Sequence, residues 1–274
     1  MSDIDEAIDW QGHQVRCESC AHLELAEKRR CVLKHACVHD RYARRIDRFF
    51  DWNPSLSNIY LAHPHFEVRA IAAKFADLFR LPALLADPDE TVRWNAARRL
   101  PRRYLLLLRN DPHREVRIRV ATLLNEADLT PMMRDPDYYV RLVVARRVGI
   151  GSLPSMIRDE EAEVRRVVAS RIDRDALFGM ATDPDAEVRL AVARRLTPSE
   201  LIGFHLDPDW RVRYEAASRV PPVILTQMAE DFDDLVRDLV RTRLEEQDGS
   251  ELPANVVRLE SRSGSRFSQP TRRR

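Results

Sequence analysis

All four cysteines of the chain, Cys17, Cys20, Cys31 and Cys37, fall in one short N-terminal stretch with the spacing Cys-x2-Cys-x10-Cys-x5-Cys. Four thiolates that converge on one point suit either a tetrahedral zinc ion or an iron–sulfur cluster, since both take four soft sulfur ligands. Zinc modules usually pair two short knuckles, and the five-residue gap of the second pair departs from that habit. Lys28, Arg29, Arg30 and Lys34 lie among the last of these cysteines. They are expected to favour thiolate over thiol and to offset the negative charge of the centre, whichever metal it holds. His22, His35 and His39 are near in sequence, but four cysteines complete a site, so they read as surface groups or as hydrogen-bond partners of the ligands. A segment of about fifty residues buries little core, and a bound metal would supply folding energy that the core lacks.

The elements that must position this segment announce themselves by repetition. Val-Arg recurs every 24 residues at Val68-Arg69, Val92-Arg93, Val116-Arg117, Val140-Arg141, Val164-Arg165, Val188-Arg189, Val212-Arg213 and Val236-Arg237. A fixed period of this size is the mark of a solenoid, in which each unit buries its apolar side against its neighbours. One copy shows the logic. Asp87 is placed to cap a helix with Pro88 at its first position, and the pair returns at Asp111, Asp135, Asp183 and Asp207. Val92, Ala96, Ala97 and Leu100 then share a helical stripe that Pro101 ends. The Ala97 column is small in every copy but the last, where Arg241 stands.

About a dozen residues remain before the next Asp-Pro, too few for a second full helix and two turns. Within them run two apolar columns three residues apart. One is Leu81, Leu105, Leu129, Leu153, Leu177, Leu201 and Leu225; the other is Leu84, Leu108, Met132, Met156, Met180, Phe204 and Met228. An i, i+3 pair is what a 3₁₀ turn aligns on one side. The expectation is an all-α solenoid in which an α-helix alternates with a short 3₁₀ helix, with the methionines as core filling.

The pattern Asp-Pro-Asp-x-x-Val-Arg-x-x-Ala-Ala-Arg-Arg-Leu, as in Asp87 to Leu100, resembles the leucine-rich repeat variant proteins. The resemblance implies a right-handed superhelix of one α and one 3₁₀ layer without β-strands, and it departs at the ends, where His63 replaces Asp and Phe232 replaces Pro. Members of that family in nitrogen-fixing bacteria carry an N-terminal [4Fe–4S] domain. The resemblance therefore implies that Cys17, Cys20, Cys31 and Cys37 hold such a cluster and that the run Asp40 to Phe50 is a joining helix. The expected division is a cluster domain with its joining helix at 1–53, the solenoid at 54–246 and a disordered basic tail at 247–274.

Composition limits the function. The net charge of +1 and pI near 7.8 argue against a general nucleic-acid or membrane-surface binder, although 32% of residues are charged. The N-terminus is acidic, without the basic and apolar regions of a secretory signal, and nothing approaches a membrane span. The chain reads as cytoplasmic, where clustered cysteines are ligands more often than disulfides.

Acids gather at helix starts and arginines at helix ends (Arg98, Arg99; Arg146, Arg147; Arg194, Arg195), which predicts an acidic and a basic edge. The complete Arg93 column is expected to form ion pairs with the aspartates of its own or adjacent repeats. Its alternative is a basic strip for an acidic protein or a nucleic-acid backbone. Trp94, Trp210 and Tyr214 lie close to the Val-Arg position and would suit a partner contact. With only 7 glycines and no phosphate loop, nucleophile elbow or zinc-hydrolase histidine pair, no catalytic constellation is expected. The reading is an iron–sulfur protein, not an enzyme, whose repeats dock another protein. Electron transfer or metalloenzyme maturation in nitrogen fixation is the role the resemblance implies. A zinc- or cluster-capped scaffold without redox activity is the alternative, and nucleic-acid binding through the basic edge a second. The oligomeric state is left open.

Overall fold

The computed structural model describes residues 6–250 and divides the chain into two compact units, Met1–Val188 and Arg189–Arg274. The first unit opens with a short helix α1 (Leu23–Glu27), then α2 (Ala43–Trp52), a 3₁₀ helix (Pro54–Tyr60) and α3 (Phe66–Phe75). From there 3₁₀ segments such as Leu78–Ala86 and Ile150–Met156 alternate with α-helices such as Glu90–Ala97 and Tyr138–Arg147. The second unit keeps the same alternation: 3₁₀ Glu200–Leu206, α Trp210–Ala217, a short turn pair Pro222–Leu225 and Thr226–Met228, and a final helix Asp234–Ser250. Among the described residues there is no β-strand, only two isolated bridges, Ile8 with Gln14 and Val32 with Ala36. The expected break after residue 246 differs, because the last helix continues to Ser250. The rest of the expected basic tail lies outside the described residues.

The columns read from the sequence are the core. The Val-Arg valines are buried in every copy, and the Leu81 and Leu84 columns line the 3₁₀ side with Met132, Met156, Met180 and Met228 as filling. Ala73, Ala97, Ala121, Ala145, Ala169, Ala193 and Ala217 are all fully buried, where a larger side chain would hold successive helices apart. In the first two repeats Ala70, Ala73, Leu81, Val92 and Ala96 share one apolar cluster. The last copy replaces alanine with the exposed Arg241, which pairs with Asp238 at 3.4 Å.

The Arg93 column forms a ladder of ion pairs. Arg93 Nε and Nη2 each donate to one carboxylate oxygen of Asp111 at 2.7 Å, and Nη1 donates to the carbonyls of Asp87 (2.8 Å) and Pro88 (3.1 Å). The same fork joins Arg69 to Asp87, Arg117 to Asp135, Arg141 to Asp159 and Arg165 to Asp183 in the first unit. In the second it joins Arg189 to Asp207 and Arg213 to Asp231. Each arginine thus spends its planar donor fork on the aspartate of the following repeat, a geometry lysine cannot supply. Desolvation pushes the Asp87 carboxyl up, but the Arg69 guanidinium and the Asp89 amide outweigh it and hold it below the usual range. In these seven copies the guanidinium is engaged by the aspartate of the following repeat.

Two expectations about the repeat are corrected. Asp87 does not cap the helix and Pro88 is not its first residue, because the helix starts at Glu90 and Asp89 caps it, accepting from Thr91 N and Val92 N. Asp137, Asp185, Asp209 and Asp233 do the same in their repeats. The first acid is held by the ladder and accepts the amide two residues on, leaving the second to face the helix N-terminus.

The basic edge is likewise only half free. Arg99 donates to the carbonyls of Ala73 (2.8 Å) and Ala76 (2.6 Å), and Arg147 to that of Ala121. Arg171 reaches Ala145 and Val148, and in the second unit Arg243 reaches Ala217 and Val220. These guanidinia satisfy the last carbonyls of the preceding helix, groups that have no intrahelical donor. Arg98, Arg146 and Arg194 are the exposed members of each pair.

Candidate metal centre

The cysteine segment is built from turns that share a core with α2 and α3. Cys17 and Cys20 bracket a turn closed by Cys20 N–H donating to Cys17 O (3.1 Å), and α1 follows directly. At the end of α1, Arg29 takes a left-handed conformation (φ 55°) and the chain folds back, with Arg30 N and Cys31 N both donating to Leu25 O. Between Cys31 and Cys37 a tight turn is locked by reciprocal hydrogen bonds of 2.8 Å between Val32 and Ala36, with Lys34 at φ 61°. Cys31, Cys37 and Val38 pack with Ile46, Phe49 and Phe50 of α2 and with Val68, Ile71 and Ala72 of α3. Buried Asp40 pairs with Arg45 at 2.9 Å and accepts Tyr42 N–H, fixing the entry to α2.

All four cysteines are free thiols, with Cys31 and Cys37 buried and Cys17 and Cys20 half-buried. The Cys31 thiol donates to Cys37, which raises Cys31 and lowers Cys37, and burial and the other cysteines push Cys31 further up. Cys17 is raised by burial and by the charges of Cys37 and Cys20. The four sulfurs are therefore within electrostatic reach of one another, a crowd of like charges that a bound cation would relieve. His22 N–H donates to Cys20 Sγ at 3.4 Å, and Asp40 N–H donates to the Cys37 carbonyl at 3.4 Å. Among the described residues no three Cys, His, Asp or Glu side chains stand at metal-binding positions. The donor set itself, four soft thiols outside any disulfide with an amide on one of them, is the chemistry a cluster requires.

The expected charge compensation by neighbouring cations is corrected. Lys28, Arg29, Arg30 and Lys34 are exposed; Lys28 pairs with Glu24 (3.8 Å) and Arg30 donates to Trp52 O (2.7 Å). Long cationic side chains keep their heads hydrated when no buried partner demands them. The histidines are more than surface groups. Burial pushes His22 and His39 below the usual imidazole range, and His22 hydrogen-bonds Tyr60. Arg48 donates to His35 Nδ1 and to its carbonyl, both at 2.9 Å.

Tyr60 and Asn53 were not singled out by the sequence. Asn53 is buried and donates to Arg30 O (2.8 Å) and Phe49 O (2.9 Å), tying the turn before Cys31 to the end of α2. Asn53 belongs to no column; Tyr60 stands one period of 24 residues before Leu84, where the register marks the position but not its polar partner.

Residues 7–59 match the family model described as the LRV protein FeS4 cluster, which identifies this segment as an iron–sulfur domain. A solved structure described as a leucine-rich repeat variant with a novel repetitive protein structural motif is 40% identical, with a TM-score of 0.79 over 84% of this chain and 98% of that one. The chain belongs to the leucine-rich repeat variant family. Its fold class is accordingly the family's α/3₁₀ solenoid, carrying an iron–sulfur domain at its N-terminus. A curated relative of this chain, the uncharacterized 27.7 kDa protein in the nifB 3' region of Rhodobacter capsulatus, is 48% identical over 101 residues. That match spans 37% of this chain and only 41% of the relative. No helix among the described residues is long and apolar enough to cross a membrane.

Proposed function

We propose that this leucine-rich repeat variant protein is a cytoplasmic electron-transfer protein whose cluster is a [4Fe–4S] centre on Cys17, Cys20, Cys31 and Cys37. The observation that carries this is the set of four free, mutually interacting thiols inside the segment that matches the FeS4 cluster family. Such a cluster, when bound, supplies reversible one-electron transfer. The chain's own part is to hold the four sulfurs, aim the His22 amide at Cys20, and exclude water through the packing of Phe49 and Phe50 against Cys31 and Cys37.

A protein partner is the reading the surface supports. Leu23, Val32 and Leu33 are exposed beside the cysteines, with Lys28, Arg29, Arg30 and Lys34 around them. Apolar contact ringed by charge is common at transient protein interfaces. The repeats add Trp210 and Tyr214, 39% and 40% exposed, as candidate docking anchors in the second unit. The domain assignment that goes with this reading is a cluster domain at 1–53 serving a solenoid at 54–246. Nitrogen fixation is the proposed context, supported by the relative named for its place beside nifB.

Anaerobic titration of the holoprotein with dithionite tests the redox role. A visible band that bleaches on reduction and returns on oxidation, with a paramagnetic reduced state, is expected. A cluster that stays unchanged across the accessible potential range would leave it a structural cap on the repeats.

A further inference from the structure

Tyr60 ends the 3₁₀ helix Pro54–Tyr60, yet its hydroxyl hydrogen-bonds Nε2 of His22, 38 residues earlier in the chain. The phenol ring is held on several sides. It meets Phe50 at 5.5 Å and Phe49 at 6.4 Å, both edge-on, and His63 at 5.9 Å. His22 is pinned in turn against Phe49, with ring centroids 5.3 Å apart.

What His22 governs is the turn that carries Cys20. Its backbone N–H donates to Cys20 Sγ at 3.4 Å, and its carbonyl accepts from Leu25 and Ala26 at the start of α1. The residue therefore sits between a candidate ligand and the helix that leads to Cys31. A shift of its backbone would carry the amide away from the sulfur, and the side chain held by Tyr60 and Phe49 opposes such a shift. Burial raises the Tyr60 hydroxyl, which stays protonated and available as a donor.

We infer that Tyr60 is a positioning residue for the iron–sulfur centre: its hydroxyl anchors His22 and so holds the His22 amide on the Cys20 sulfur. The inference rests on the proposed ligation by Cys20. An amide aimed at a ligating sulfur favours the more negative, reduced state of the centre, and hydrogen bonds to the sulfurs are one of the protein's means of setting potential. Loss of the anchor weakens that bond and loosens the loop.

The test compares wild-type holoprotein with Tyr60→Phe and His22→Phe, all with iron content and helical circular dichroism measured first. Phenylalanine at 60 keeps the ring contacts and removes only the hydroxyl; phenylalanine at 22 keeps the contact with Phe49 and removes the acceptor. Both variants are expected to have a lower midpoint potential, by about threefold in the oxidised-to-reduced ratio, close to 28 mV at 59 mV per tenfold for one electron. Iron is expected to pass to an anaerobic chelator several-fold faster, and the double variant to be no worse than either single one. His22→Gln, which leaves an acceptor within reach of the hydroxyl, is expected to recover part of the potential. A fully loaded Tyr60→Phe protein with wild-type potential and wild-type chelation rate would overturn the inference and leave the iron–sulfur reading standing. Wild-type protein that holds no iron would overturn both.

Discussion

Cys37→Ser is expected to strip the iron from the holoprotein, from about four irons per chain to well below one, while the helical circular-dichroism signal stays close to that of wild type. Cys37 is buried and its thiol is lowered by the neighbouring Cys31, so the site favours a soft anion there. Serine keeps the volume but gives up the thiolate, and a hydroxyl is a poor ligand for iron. The helical signal survives because the repeats bury their own columns against each other. Only α3, which shares Val68, Ile71 and Ala72 with the cysteine segment, is expected to loosen. Iron analysis beside circular dichroism reads both halves. Retention of the full iron content by Cys37→Ser would remove Cys37 from the ligand set, and collapse of all helical signal would mean that the repeats depend on the centre.

Arg93→Ala is expected to destabilise the repeats far more than the neighbouring Arg98→Ala. Arg93 is 6% exposed and Asp111 4% exposed, so removal of the guanidinium leaves a buried carboxylate without its partner. Breaking a buried pair in this way costs about 3–5 kcal/mol, and the carbonyls of Asp87 and Pro88 lose their donor as well. Arg98 is exposed, and substitutions of that kind usually fall within about 0.5 kcal/mol. Arg93→Lys is expected to recover little, because one ammonium cannot satisfy two carboxylate oxygens and two carbonyls with the fork's geometry. Chemical denaturation followed by circular dichroism gives the comparison, with hydrogen exchange locating the loss in the repeats that share the pair. Equal shifts for Arg93→Ala and Arg98→Ala would mean the ladder is not what holds neighbouring repeats in register.

The repeats were legible because a 24-residue period lays equivalent positions in columns, and a column that is always Val, Ala or Leu has only one physical use in a solenoid. The period also set the Arg93 column apart, with pairing to the aspartates of its own or adjacent repeats as the favoured reading and a basic strip as the alternative. What the period could not decide was the division of labour inside Asp-Pro-Asp. Both acids can cap a helix, and only the position of Arg69 beside Asp87 assigns the cap to Asp89. Arg99 was misread for a similar reason. A basic residue at a helix end looks like a surface charge until the carbonyls of the previous repeat come within its reach.

The candidate centre was legible in part. Four cysteines in a short stretch name the donor chemistry by residue type alone. Which groups then face the sulfurs depends on backbone direction, which residue identity does not encode. The cations nearest in sequence are exposed, while the His22 amide is aimed at Cys20. Tyr60 was invisible for the same reason: its partner is fixed by how the first 3₁₀ helix meets the cysteine segment.

The central claim is that this chain carries an iron–sulfur cluster on its four cysteines, and it is tested most directly by iron and acid-labile sulfide analysis of anaerobically purified full-length protein. About four irons and four sulfides per chain are expected. One zinc per chain with no sulfide would contradict the account.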